Sequence, residues 1–299
     1  MVTVTRLQVQ TNMEEQPLTG VSTQEADTLM MLHAAEICAT GKSVHIMMQD
    51  TDVLVLTLRR LPTLGPRTTM LMGTGDKRRK VLLQHIYDSL GPEKVAALPG
   101  FHCITGCDTC GHIRGKGKKT AFKVFNEAIP EVINALAQLG IAQTPPTSVI
   151  SGCEKFLCRL MSNKTNLSLT AGNLRWKHFK NQSAGHGIEK IPPTAGAWYQ
   201  HILRAHMQAF IWNHDLVEDP PVPDPCKLGW SRAADGILVP VLSEVPTAPK
   251  SVVELVKCGC GSSICSRRSC TEVCKCEAVE NCVNTNYRDQ ELEEGSYED

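Results

Sequence analysis

Apolar positions between residues 22 and 58 change their period, and the change predicts how the chain starts to fold. Met30, Ala34, Ile37 and Cys38 recur at i, i+4, i+7 and i+8, which predicts a helix over Ser22–Thr40. Ser22 and Glu25 have capping-box spacing at its start, and Gly41 marks its end. Val44–Met48 is a nearly all-apolar run, the pattern of a parallel strand buried on both faces. A second apolar run, Val53–Leu58, follows the Asp50-Thr51-Asp52 turn. A helix is predicted over Lys80–Leu90 ahead of Gly91-Pro92, then residues 93–105 lead into a glycine-spaced segment. Further helical patterns occupy 119–139, interrupted at Pro130, then 151–161 and 196–213. Strands alternating with helices predict an α/β domain with a mainly parallel sheet.

The pattern also divides the chain. Residues 1–20 alternate briefly (Val2, Val4, Leu7, Val9) and read as a lead-in with a candidate strand. The α/β domain runs over 21–140 and a helical region over 141–218. Prolines from Asp219-Pro220-Pro221 onward make 219–257 a linker, with a short strand at Ile237–Leu242. A cysteine-dense module fills 258–284, and 285–299 is an acidic tail expected to be disordered.

Composition narrows the chemistry. With aromatics at 5 % of 299 residues, the core must rely on Leu, Val, Ile, Ala and Met. No run of 18 apolar residues occurs, so no membrane span is expected. The N-terminal residues lack a charged-then-apolar signal pattern, which argues for a reducing compartment. There, fourteen cysteines point to metal or packing rather than disulfides. The formal net charge is zero but unevenly placed: Asp289–Asp299 holds six acids and no base, leaving 31 bases against 25 acids elsewhere. Basic clusters lie at Lys77–Lys80 and Arg114–Lys123, either of which also fits a solvated face.

One stretch carries most of the candidate chemistry. Asp108 follows an apolar segment, and Arg114, Gly115, Lys116, Gly117, Lys118 and Lys119 then form a glycine-spaced basic loop opening onto Ala121, Phe122 and Val124. Glycines free the backbone to approach a phosphate, amides at a helix start attract anions, and lysines add charge. Upstream lie two acid pairs, Glu25 with Asp27 and Asp50 with Asp52. Taken singly these acids have ordinary roles. Glu25 fits the capping box, Asp27 fits a helix first turn, Asp50 and Asp52 fit a solvated turn, and Asp108 fits a cap. A rival use of the same stretch is a zinc site from Cys103, Cys107, Cys110 and His112, with Cys107 and Cys110 in CxxC spacing.

Taken in order, the acid pair, the strand, the second acid pair, Gly106 to Asp108 and Gly115 to Gly117 resemble the flap-endonuclease family of the PIN-like 5′-nuclease superfamily. The likeness covers about residues 18–130 and includes Ile113, Arg114, Lys119 and Ala121. It implies a helix-three-turn-helix that grips DNA, branched or partly single-stranded. It also implies Glu25, Asp27, Asp50, Asp52 and Asp108 as ligands for magnesium or manganese in phosphodiester cleavage. Family members carry two further aspartates ahead of the glutamate pair. Here only Glu14 and Glu15 precede Glu25, which implies a nuclease domain lacking its first strand and two ligands, with weakened metal affinity.

Cys258, Cys260, Cys265, Cys270, Cys274, Cys276 and Cys282 crowd into a segment almost devoid of large apolar side chains, so metal–thiolate bonds must supply its folding energy. With CxC at 258/260 and 274/276 and Asn284 after Cys282, it resembles the tesmin-type CXC zinc module, whose family binds DNA. Two cysteines of that pattern are missing, and seven thiolates can still hold two zinc ions if one sulfur bridges. A degenerate zinc knot without DNA contact is the alternative. The order of nuclease-like domain, middle region and CXC module also resembles a group of multi-copy animal proteins, which implies architecture but no activity. The histidines and tryptophans of the middle region, among them Trp198, His201, His206 and Trp212, read as core or surface residues. The expected function is a structure-guided DNA nuclease relative in the nucleus. The alternatives are a non-catalytic DNA- or chromatin-binding zinc protein and a zinc-stabilised interaction scaffold.

Overall fold

The first helix, α1 (Ala26–Ala39), starts where Glu25 takes an extended conformation and its carbonyl accepts from the Leu29 amide at 3.1 Å and the Thr28 hydroxyl at 2.8 Å. Glu25 is therefore the N-cap itself and not the third residue of a capping box. The computed structural model describes residues 2–5, 8–11, 25–162, 170–180, 191–217 and 219–243. These all belong to one compact unit, Met1–Ser243. The cysteine module and the acidic tail lie outside the described residues. Near the start, β1 (Val2–Thr5) and β2 (Gln8–Thr11) pair as an antiparallel hairpin.

After α1 the chain forms β3 (His45–Met47), α2 (Thr51–Leu64) and β4 (Thr69–Met72), with β4 parallel to β3 and Ile46 opposite Met70. The apolar run Val53–Leu58 is thus helical. Val53, Val55, Leu56 and Leu58 are all buried, because α2 sits between α1 and the rest of the core and presents apolar residues on several sides. β5 (Arg79–Leu82) then pairs antiparallel with β4, giving the order β3-β4-β5. The expected mainly parallel sheet is corrected on this point: the described sheet has one parallel and one antiparallel pair. Exposed Arg79 and Lys80 suit β5 to an edge, where charge discourages further pairing.

The remainder is helical. α3 (Leu83–Leu90) leads to α4 (Pro92–Thr105), whose residues from Ala97 to Thr105 are all buried. Around α4 pack α2, α3, α5 (Lys118–Asn126), α6 (Pro130–Gln138) and α9 (Ala195–Asn213). α7 (Thr147–Met161) packs on α6 and α5, and α8 (Ala171–Lys180) on α7. Pro130 begins α6, where a missing amide costs nothing. Residues of α2, α4, α6, α7 and α9 share one hydrophobic core, so the regions 21–140 and 141–218 are packed together. A hairpin of β6 (Trp230–Arg232) and β7 (Leu238–Pro240) closes the described chain. The architecture is mixed α/β and mostly helical.

Candidate functional site

The acids come from the start of α1, the β3–α2 turn and the α4–α5 loop. Asp27 lies in the first turn of α1. Asp50 caps α2, its Oδ1 accepting from the Asp52 amide at 3.0 Å, so the turn favours a capping residue such as aspartate there whatever its chemistry. Asp52 follows in the first turn of α2, buried, while Asp108 is exposed in the loop that joins α4 to α5. That loop leaves α4 through Gly106 at φ +112°, and a Cβ there would press within 2.9 Å of His112, so only glycine fits the turn.

Electrostatics links all five acids. Burial, then the charges of Asp50, Asp52 and Asp108, push the Asp27 carboxyl up to about 6. Burial also raises Glu25, opposed by hydrogen bonds from Trp212 and Gln208 and reinforced by Asp27 and Asp52. Besides Asp50, two of the acids are engaged by side chains of other elements. The imidazole of His102, on α4, donates from Nε2 to Asp52 Oδ1 at 2.7 Å, and its ring lies 5.8 Å from that of Trp212. Glu25 Oε2 accepts from Gln208 Nε2 and Trp212 Nε1, each at 3.0 Å, both on α9. Gln208 Oε1 in turn accepts from the Thr109 hydroxyl at 2.7 Å. The start of α1 is thereby connected through α9 to the loop that carries Asp108.

From the basic loop, Lys118 at the start of α5 reaches this cluster. Gly117 is the N-cap with no side-chain cap, and Arg114, Gly115, Lys118 and Lys119 are exposed while Lys116 is half-buried. Although Lys118 is exposed as a whole, its ammonium end is partly buried and donates to the His102 carbonyl at 3.4 Å. Burial lowers its pKa, and the nearby Asp52, Cys107, Cys103 and Asp50 oppose that. An open concavity of about 690 Å³ lies at the carboxyl ends of β3 and β4, lined by Met48, Asp50, Thr51, Gly73 and Arg78 among others. Ligands of open α/β sheets gather at such ends.

Comparison with known proteins returns nothing: no family model, curated protein or solved structure matches the chain.

Among the described residues, no three Asp, Glu, His or Cys side chains stand together as they would around a metal ion. Asp27, Asp50 and Asp108 nevertheless suit a hard divalent cation by donor type, and the repulsion that raises Asp27 is what such an ion relieves. The sulfur set behaves differently. Cys107 interacts with the thiols of Cys103 and Cys110, and hydrogen bonds from these, then from Thr109, hold the Cys107 thiol well below its usual range. Sharing that bond and burial push Cys110 up, and burial pushes Cys103 up. His112 is exposed and does not complete a metal-holding group with them. The seven cysteines from Cys258 to Cys282 lie outside the described residues.

Nothing local in the sequence marks His102 or Gln208 as part of this site, since the Gln208 contact with Glu25 spans 183 positions. His201 and His206 of the middle region have structural roles. His201 Nε2 donates to the Ile104 carbonyl at 2.8 Å, and His206 accepts from the Gly140 amide at 3.0 Å while donating to Ala142 at 2.8 Å.

Proposed function

We propose that the chain is a relative of metal-dependent, structure-guided DNA nucleases, binding branched or partly single-stranded DNA through the α4–α5 hairpin. The observation that carries this reading is the shared electrostatic neighbourhood of acids from three separate segments, with Lys118 of the basic loop beside them. Asp27, Asp50 and Asp108 would hold magnesium or manganese. Such an ion supplies Lewis-acid polarisation of the phosphate and a lower pKa for an attacking water. His102 fixes the Asp52 carboxylate, and the bonds from Gln208 and Trp212 fix Glu25, so these two acids set the field without moving. Arg114, Lys116, Lys119 and the uncapped amides of α5 would bind phosphates without reading sequence.

A second reading, a non-catalytic DNA- or chromatin-binding protein using this hairpin and a zinc-bound CXC module, draws on one observation. Asp52 and Glu25 are committed to protein partners, which removes two oxygens sets from metal binding. Cleavage of a labelled 5′-flap DNA with manganese separates the two. The nuclease reading expects cutting that falls roughly 100-fold or more in Asp108→Asn, the scale of losing a group that stabilises developing charge. Retained, salt-sensitive DNA binding by a folded sample that does not cut would favour the second reading.

A further inference from the structure

The loop that carries Asp108 also carries two thiols that phosphodiester chemistry does not use. The Cys107 amide donates to the Cys110 carbonyl at 3.0 Å, and the Cys110 amide donates back to the Cys107 carbonyl at 3.2 Å. Residues that exchange both backbone bonds have Cα atoms about 5.5 Å apart. Disulfides need roughly 4.4–6.8 Å. Thr109 Oγ1 lies 3.5 Å from Cys107 Sγ and 3.8 Å from Cys110 Sγ, so both sulfurs border the same hydroxyl. We propose that Cys107 and Cys110 form a reversible disulfide that closes a short ring around Asp108 and Thr109.

Exposure assigns the two roles. Both cysteines line an open concavity of about 370 Å³, but Cys107 is half-buried and meets a small oxidant there, whereas Cys110 is only 3 % exposed. With hydrogen peroxide as oxidant, the Cys107 sulfur attacks one peroxide oxygen and the O–O bond breaks. Cys107 becomes a sulfenic acid, and the departing hydroxide takes the proton Cys107 gave up, leaving as water. Cys110 then attacks the oxidised sulfur, the S–O bond breaks, and the released hydroxide takes the Cys110 proton as a second water. Two thiols lose two electrons and the peroxide gains them. A thiol reductant reverses the bond by exchange, and a ring this short constrains the unfolded chain little, so reduction is easy. Cys103 also neighbours Cys107, but it is fully buried on α4 and has no backbone pairing that holds it opposite.

The test uses the full reduced chain, treated with a small excess of hydrogen peroxide, alkylated, digested with trypsin and sequenced by mass spectrometry. The expected product is the Val95–Arg114 peptide lacking two hydrogens and carrying one alkyl group, on Cys103, with all three cysteines labelled again after dithiothreitol. In Cys110→Ser the ring cannot close, and dimedone is expected to trap a sulfenic acid on Cys107. Full alkylation of all three cysteines in a chain with unchanged circular dichroism would overturn the proposal. So would a Cys103–Cys107 bond or a bond from Cys107 to a cysteine elsewhere. None of these outcomes depends on DNA cleavage, so the disulfide and the nuclease reading fail separately.

Discussion

Asp27 occupies a helix first turn, where the dipole favours the carboxylate, yet burial and three neighbouring acids push it up to about 6. Its folded pKa lies above the unfolded value of 3.8, so between these values the folded state binds the proton more tightly. Stability from this group is therefore greatest below about pH 4 and is lost as pH rises through about 6, opposite to a salt-bridged aspartate. Asp27→Asn removes the repulsion. Allowing for the screening of a half-exposed group, it should stabilise the fold by about 1 kcal/mol at pH 7 and leave it unchanged at pH 3.5. Thermal unfolding at the two pH values measures this. Manganese should raise the wild-type Tm at pH 7 more than that of the variant, since the ion relieves the same repulsion. An equal shift in both proteins would mean that no cation binds beside Asp27.

At the scale of elements, α4 and α6 approach so closely that a Cβ on Gly100 would strike the Leu136 carbonyl oxygen and lie 3.1 Å from Leu139 Cβ. On an open helix, Gly→Ala stabilises by up to about 1 kcal/mol. Here Gly100→Ala should instead destabilise by about 1–3 kcal/mol, because the helices must separate. A lower urea midpoint with an unchanged m-value is the expected result, and a raised midpoint would mean the helices are not held in contact. Elements with a clear helical period were legible in the sequence: α1, α7, α9, and α5 and α6 divided at Pro130. Val44–Met48 was legible as a strand but not as one buried on both faces, since Ile46 is buried while His45 and Met47 are exposed. The run Val53–Leu58 was not legible as α2, because a helix buried on several sides loses its polar face and reads like a buried strand. β4 and β5 are four residues each, too short for a period, and β5 is basic at an exposed edge. The acids were legible by their order along the chain. The partners that engage Asp52 and Glu25 were not, since His102, Gln208 and Trp212 reach them only through tertiary packing.

Across the whole molecule, α2 is fastened to the end of α9 by charge. Arg60 Nε donates to Asp215 Oδ1 at 2.7 Å, Arg60 Nη2 donates to the Asn213 carbonyl at 2.9 Å, and Arg59 Nη1 donates to the Trp212 carbonyl at 3.3 Å. The same turn of α9 supplies the Trp212 indole that holds Glu25, so this junction also supports the acid site. The two partners are unequal. Asp215 is 1 % exposed and its Oδ2 has no partner among the described residues, whereas the Arg60 side chain is 21 % exposed. Removing Arg60 strands a buried carboxylate, while removing Asp215 leaves a cation that still has a carbonyl and reaches water. Arg59 limits the damage: its positive charge lies near Asp215, and burial and the Arg60 charge lower its pKa only to about 10, so it stays protonated at neutral pH. Arg60→Met should therefore cost about 3 kcal/mol, the lower end for breaking a buried pair, and Asp215→Ala clearly less. The double variant should be more stable than Arg60→Met alone, because the stranded charge is gone. Urea unfolding of the three variants decides it: equal single losses that simply add would show two independent contacts and no buried pair joining α2 to α9.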